Sequence, residues 1–241
     1  MNIKISFLLC LVFVVGQLFA QNTGQIDDVV IEYLQYADNQ SMLYYGTMQE
    51  GYPRTSNHPY LKDKQFVKAR LSYRQIVYPE VNLRLDMNRN ELIILSPSKH
   101  NIVLFPENVD FVELHDRHII YFYRDSLPGS PSTGYYTLLH SGICKVMEKQ
   151  TATLAVKNTS STTQEQYFTF RNSFYLYKDD VYYTIRNKRG LLKILSPYNK
   201  ELKQFVSTNN LSFRRNAGYF LAQTVQEYEK ISGTSGSLSH N

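Results

Sequence analysis

The 241-residue chain has no tryptophan and only two cysteines, Cys10 and Cys144. Cys10 lies in an apolar N-terminal run that reads as a cleaved signal, so one thiol is expected in the exported protein. That excludes an intramolecular disulfide, and stability has to come from a packed core. No G-x-S-x-G elbow occurs, because Gly233-Thr234-Ser235-Gly236 has the wrong spacing, and no glycine loop suited to cradling phosphate is present. The N-terminal apolar run, Ile5 to Val15, falls short of the roughly 18 to 20 residues needed to cross a bilayer as a helix, and no stop-transfer flank follows it.

Asn2 and Lys4 precede an apolar segment from Ile5 to Val15, and Leu18-Phe19-Ala20 before Gln21 fits a signal-peptidase site. The expected protein is therefore exported and soluble, starting at Gln21. Without Lys4 it holds 25 Lys and Arg against 21 Asp and Glu, a net charge of +4. The excess is local: Arg186, Lys188, Arg189, Lys193, Lys200, Lys203, Arg214 and Arg215 face Glu201 alone between 186 and 215. In an exported protein such a segment meets anionic lipid, lipopolysaccharide or cell-wall polymer sooner than nucleic acid. A solvated helical face accounts for it too.

Twenty tyrosines and thirteen phenylalanines, with abundant β-branched residues, favour sheet. Val81, Leu83, Leu85 and Met87 alternate with Asn82, Arg84, Asp86 and Asn88, the period of a half-buried strand. Asn88-Arg89-Asn90 reads as a turn, Leu92–Leu95 as a central strand, Ser96–Asn101 as a second turn and Ile102–Phe105 as the return. Val109, Phe111 and Ile119–Tyr123 extend this meander, with His115–His118 as its reversal. Upstream, Asp27–Asp38 is spaced as an amphipathic helix on Val30, Tyr33, Leu34 and Ala37, although Val29-Val30-Ile31 would also suit a strand. Met42–Tyr45 reads as a strand, Gly51–Asp63 as a loop and Phe66–Tyr73 as a strand. Asp125–Gly134 breaks the β region into two blocks. Tyr135–Leu139, a turn at His140-Ser141-Gly142 and Ile143–Met147 follow. The Thr-, Ser- and Gln-rich stretch Lys149–Gln166 reads as a flexible loop. Phe168–Phe170, Phe174–Tyr177, a turn at Lys178-Asp179-Asp180 and Val181–Ile185 close the sheet.

The period then becomes helical. Leu191, Leu192 and Leu195 share a face; Ser196 as N-cap and Pro197 at the first position begin a second helix carrying Leu202, Phe205 and Val206. Asn216 caps a third on Leu221, Val225, Tyr228 and Ile231. The series Leu92, Ile94–Pro97, Phe105 recurs one hundred residues later as Leu192, Ile194–Pro197, Phe205. It reads as coincidence, since repeat architectures need more copies.

The expected architecture is α+β: a large antiparallel β region of meanders and hairpins, compatible with a sandwich or an open barrel, followed by a C-terminal helical segment. The chain divides into a signal at 1–20, an arm at 21–40, the β region at 41–185, the helical segment at 186–231 and a disordered tail at 232–241.

Few residues carry chemistry. His115 and His118, with Glu113, could bind zinc as a cross-strand set, though a polar hairpin tip needs the same residues. His140 and Cys144 would make a thiol nucleophile only on a helix; on strands Cys144 is a small core residue. Asp110 with Glu113 and Asp179 with Asp180 sit at turns and strand ends. Tyr135, Tyr136, Tyr175, Tyr177, Tyr182 and Tyr183 could form a stacking platform for sugar or peptide, or simply pack across strands.

His58-Pro59-Tyr60, Ala69–Tyr73, Tyr78–Asp86 and Asn90-Glu91-Leu92 resemble a family of exported proteins of unknown function from Bacteroides-type Gram-negative bacteria. Gly134–Gly142, the hairpin at Asp179-Asp180 and Lys188–Leu192 through Phe205 are similar in order. The resemblance implies an envelope location, sometimes beside outer-membrane nutrient-uptake systems. Asp125-Ser126-Leu127 is similar to the O-glycan acceptor motif of such bacteria.

The function expected is a non-enzymatic envelope protein, periplasmic or outer-membrane associated, that binds a partner protein or an anionic or glycan polymer. Its binding residues would be Tyr135, Tyr136, Tyr182, Tyr183, Lys188, Arg189 and Lys193, with no cofactor. The alternative is a hydrolase acting on envelope glycan or peptide, and a structural scaffold is a third possibility.

Overall fold

In a computed structural model that describes residues 27–34, 36–114, 119–123, 130–158 and 164–237, the chain folds as α+β around one open antiparallel sheet. The strands are β1 (Thr47–Met48), β2 (Val67–Tyr73), β3 (Ile76–Asp86), β4 (Glu91–Leu95), β5 (Asn101–Val103), β6 (Val109–Leu114), β7 (Ile119–Tyr123), β8 (Gly134–Ser141), β9 (Lys145–Asn158), β10 (Gln164–Lys178) and β11 (Val181–Ile185). Their spatial order is β1-β5-β4-β3-β2-β6-β7-β8-β9-β10-β11. Residues 27–34 form helix α1, and α2 (Lys188–Ile194), α3 (Asn199–Thr208) and α4 (Ala217–Ser237) follow the sheet.

Turn chemistry sets the hairpins. Arg74 and Gln75 between β2 and β3, and Asp179 and Asp180 between β10 and β11, all have positive φ, the geometry of two-residue turns whose twist matches paired strands. At the β3–β4 turn the buried Asp86 carboxylate accepts from the Asn88 and Arg89 amides at 2.8 and 3.0 Å, and from the Tyr52 hydroxyl at 2.7 Å. Pro79 can stand inside β3 because the β2–β3 register skips between Ala69 and Leu71, which leaves its missing N–H at a bulge.

The strand after β5 does not continue the meander. Residues 104–108 carry the chain back to the far side of β2, and β6 pairs there, Leu71 opposite Val112. Leu104, 1% exposed, is buried in the crossing. The break at 125–134 likewise does not divide the sheet, since β7 and β8 are paired, Tyr121 opposite Tyr136. The core does fall into two clusters. Leu71, Tyr78, Leu83, Leu92, Ile94 and Val112 form the first, with Leu43 and with Val30 and Leu34 of α1 packed against it. Val146, Leu176 and Ile185 pack with Leu191, Leu195, Leu202, Phe220, Leu221 and Val225 of the three C-terminal helices in the second. Each fully buried side chain of this kind contributes about 1.5–3 kcal/mol.

Several local expectations are corrected. Met42–Tyr44 is a 3-10 turn rather than a strand; the Ser41 hydroxyl accepts from the Leu43 amide and Leu43 plugs the first cluster. Residues 149–158 and 164–166 are strand, not loop. Ala152, Leu154 and Val156 alternate with Thr151, Thr153 and Lys157, a period hidden by the polar composition, and threonine suits a strand well. Phe168–Phe170 and Phe174–Tyr177 belong to one strand, β10. The turn after β8 sits at 142–144. Helix α3 starts at Asn199 with Tyr198 before it, so Ser196 and Pro197 are not its cap and first residue, and the Asn187 side chain caps α2 by accepting from the Gly190 amide. Asn216 caps α4 as expected, accepting from the Tyr219 amide at 2.9 Å. The helix runs on to Ser237, into the stretch from 232 expected to be a disordered tail. The hundred-residue echo is coincidence: Leu92 lies on a strand and Leu192 on a helix.

Beyond Glu148 and before Phe174, β9 and β10 outrun their neighbours β8 and β11. This arm reaches the opposite end of the chain. The Ala152 amide donates to the Met87 carbonyl at 3.1 Å, and Asn88 Nδ2 donates to the Ala152 carbonyl at 2.9 Å. The Asn57 amide imitates a strand partner, donating to the Phe168 carbonyl at 2.8 Å and accepting from the Phe168 amide at 2.6 Å. Phe168 itself is 2% exposed and stands edge-on to Tyr52. Asn57→Ala strands both backbone groups of Phe168. The expected loss is about 1–3 kcal/mol, read as a lower urea midpoint with an unchanged m-value; an unchanged midpoint refutes the role.

Candidate functional site

The register of β7 to β11 sorts their side chains into two faces of different chemistry. Tyr121 is opposite Tyr136, Leu138 opposite Met147, Met147 opposite Tyr175, and Tyr177 opposite both Lys145 and Tyr182. Because side chains alternate along a strand, Tyr121, Tyr123, Tyr136, Tyr175, Tyr177 and Tyr182 share one face with Lys145 and Lys149. Val146, Phe174, Leu176, Tyr183 and Ile185 point the other way, into the cluster beneath α2–α4.

On the tyrosine face the rings touch in sequence. Centroids are 5.8 Å apart for Tyr123–Tyr136 and Tyr136–Tyr175, 5.5 Å for Tyr123–Tyr182 and 4.7 Å for Tyr177–Tyr182. Most of these pairs are edge-to-face, the arrangement the ring quadrupole favours. Tyr136 and Met147, each 1% exposed, form the floor, and the other five rings are half-buried around it. The Lys149 ammonium stands 5.1 Å from the Tyr136 centroid and that of Lys145 5.9 Å from Tyr177. Hydroxyls are held in place: Tyr136 donates to the Ser132 carbonyl at 2.5 Å, Tyr177 to Asp180 Oδ1 at 2.7 Å, and Tyr121 contacts the Met147 sulfur. Burial keeps the Tyr121 and Tyr182 hydroxyls well above the usual tyrosine range, and a hydrogen bond to Tyr123 adds to this at Tyr182. The face is therefore a neutral aromatic surface with two cations along it.

The seven sequence-derived binding residues separate into four places. Tyr136 and Tyr182 lie on the tyrosine face. Tyr135, 3% exposed, is buried in the first core cluster, and Tyr183 packs beneath the helices. Lys188, Arg189 and Lys193 line a cleft of about 600 Å³ between α2 and α3, together with Leu192, Ser196, Asn199 and Lys203. Tyr121, Tyr123, Lys145 and Lys149 were not singled out as binding residues. Their common parity with Tyr136 and Tyr175 becomes visible only once strands β7 to β10 are registered. A second concavity of about 700 Å³, between the start of α4 and β9–β10, is lined by Leu139, Phe174 and Phe213 with Glu148, Arg214 and Arg215. Glu148 is its single carboxylate and accepts from Asn172 Nδ2 at 2.7 Å.

The acidic pairs do structural work. Asp110 accepts from the Ser72 hydroxyl at 2.7 Å and the Gln75 amide at 3.1 Å, Asp179 pairs with Lys178, and Asp180 holds Tyr177. His115 and His118 lie outside the described residues. Among the described residues no group of three His, Cys, Asp or Glu side chains is placed to hold a metal.

His140 and Cys144 do meet a common partner, across the β8–β9 turn. Glu229 of α4 sits with Oε2 3.0 Å from His140 Nε2, and its Oε1 accepts from the Cys144 amide at 2.6 Å. A Cβ on residue 142 would collide with Glu229 Oε2, so the carboxylate reaches the turn over Gly142. Cys144 is fully buried, and burial, seconded by the Glu229 charge, pushes its thiol up to about 11. A protonated, enclosed sulfur is no nucleophile. Glu229 thus clamps helix to turn.

No protein-family model, curated protein or solved structure matches the chain.

Iodoacetamide at about pH 8 should leave Cys144 unmodified in the folded protein and alkylate it in urea. Equal labelling rates in the two states would refute the inert core role.

Proposed function

We propose that this chain is an exported, non-enzymatic protein of the bacterial envelope, periplasmic or outer-membrane associated, that binds a surface glycan polymer along the tyrosine face of its sheet. The observation that carries the proposal is the line of six ring-contacting tyrosines across β7, β8, β10 and β11, with Lys145 and Lys149 beside them. The apolar faces of sugar rings stack on aromatic rings, and ammonium groups donate to hydroxyls or pair with carboxylates. Tyrosine suits this role because it offers a large, amphipathic surface at low conformational-entropy cost.

Export is supported by Asn2, Lys4 and the apolar run ahead of Ala20, and the envelope location by the resemblance carried on Tyr78–Asp86 and Lys188–Leu192. No helix among the described residues is long and apolar enough to cross a membrane. Binding is favoured over hydrolysis because, among the described residues, the carboxylate that touches the tyrosine face, that of Asp180, is committed to the Tyr177 hydroxyl, while Cys144 is sealed and Glu229 is committed to the turn.

Retention of purified protein on immobilised envelope polysaccharide tests the proposal. Tyr175→Ala with Tyr182→Ala removes two stacking surfaces, each worth about 0.5–1.5 kcal/mol, so retention should fall about tenfold with unchanged far-ultraviolet circular dichroism. Retention equal to that of the parent protein refutes the assignment to this face.

A further inference from the structure

The cleft between α2 and α3 is separate from the tyrosine face and has its own chemistry. Lys188, Arg189, Leu192 and Lys193 are three and four residues apart, so they occupy one side of α2. Asn199 and Lys203, four apart, occupy one side of α3, and the two sides meet across the cleft with Ser196 between them. The single acid of the segment, Glu201, lies two residues from each of Asn199 and Lys203 and so projects from the other side of α3. Helix α2 contains no acid. Leu192, 6% exposed, supplies an apolar floor under the cations. Four positive side chains therefore converge on a volume of about 600 Å³ whose lining contains no carboxylate.

We propose that this cleft is a binding site for a phosphate group carried on a sugar or glycerol. A single carboxylate would leave most of the cations unmatched, whereas a phosphate monoester or diphosphate brings about two or three charges and several acceptor oxygens. The arginine offers a planar fork for two of those oxygens and the lysines provide point charges. Ser196 and Asn199 add uncharged hydrogen-bonding groups, and Leu192 offers a surface for the carbon skeleton. The phosphate can belong to a soluble ester or to a lipid headgroup, and the same groups would bind either.

The test uses purified protein at physiological ionic strength, where delocalised attraction is screened beyond about 8 Å. The soluble probes are inorganic pyrophosphate and glucose 1-phosphate, with glucose as blank, titrated calorimetrically. The membrane probe is a phosphatidylcholine vesicle containing phosphatidic acid, with phosphatidylcholine alone as blank. Lys193→Gln with Lys203→Gln removes one cation from each wall, and Lys157→Gln with Lys64→Gln removes the same charge elsewhere. All four lysines are exposed, so both variants should fold. Binding of the soluble probes, weakened about tenfold in the cleft variant and unchanged in the charge control, assigns the site to phosphate esters. Binding confined to the acidic vesicles, with the same variant pattern, assigns it to a headgroup. Absence of binding to every phosphate probe, or equal weakening in both variants, overturns the proposal. Tyr175→Ala with Tyr182→Ala should bind these probes as the parent protein does, so the cleft and the tyrosine face stand or fall separately.

Discussion

The pairing of β9 with β10, from Lys145 opposite Tyr177 to Asn158 opposite Gln164, is the constraint on which the rest of the molecule depends. Its proximal half sits inside the sheet, with β8 and β11 on its two sides. Its distal half continues without those neighbours and is held by hydrogen bonds with the Asn57 and Asn88 side chains and by the Ala152 amide donating to the Met87 carbonyl. A long hairpin is a rigid lever, because each paired residue adds ladder bonds along its length. It joins the C-terminal half of the sheet, with its helices, to the loop and turn of the N-terminal half.

The same hairpin separates two chemistries. Residues of one parity feed the cluster under α2–α4; residues of the other carry tyrosines and lysines. Packing three helices on one face commits that face to leucine, valine and phenylalanine, and the other is free to hold polar aromatics. Glu229 reinforces the arrangement by joining α4 to the β8–β9 turn through His140 and the Cys144 amide. The tyrosine rings rest on a backbone held on its other side by a packed core. Such preorganisation lowers the ordering cost of a contact surface. The basic cleft is built differently, from long side chains on two helices, and suits a small, highly charged group.

Much of the local structure was legible in the amino-acid order. The β3–β4 hairpin follows from alternating Val81, Leu83 and Leu85 and from the turn at Asn88-Arg89-Asn90, and Asn216 announces α4. The basic cleft was half legible, since Lys188, Arg189 and Lys193 stand close together and Lys203 needed only helical spacing to join them. The tyrosine face was less so. Tyr135 and Tyr136 are adjacent, as are Tyr182 and Tyr183, and adjacency on a strand places partners on opposite faces. Composition misled at 149–166, where threonine and glutamine suggested a loop although the parity of Ala152, Leu154 and Val156 is that of a strand.

By itself, then, the sequence determined the alternating strand at Val81–Asp86, the turns at Asn88-Arg89-Asn90 and Asp179-Asp180, the Asn216 cap and the concentration of cations after residue 185, because each is settled by interactions within a few residues. Only the tertiary structure decided that β6 returns beside β2, that Met42–Tyr44 coils into a 3-10 turn to seat Leu43, and that Tyr136 and Tyr182 face one way while Tyr135 and Tyr183 face the other. The physical reason is range: strand order, register and the identity of a buried face are fixed by contacts between residues tens of positions apart, whose energies no local pattern contains.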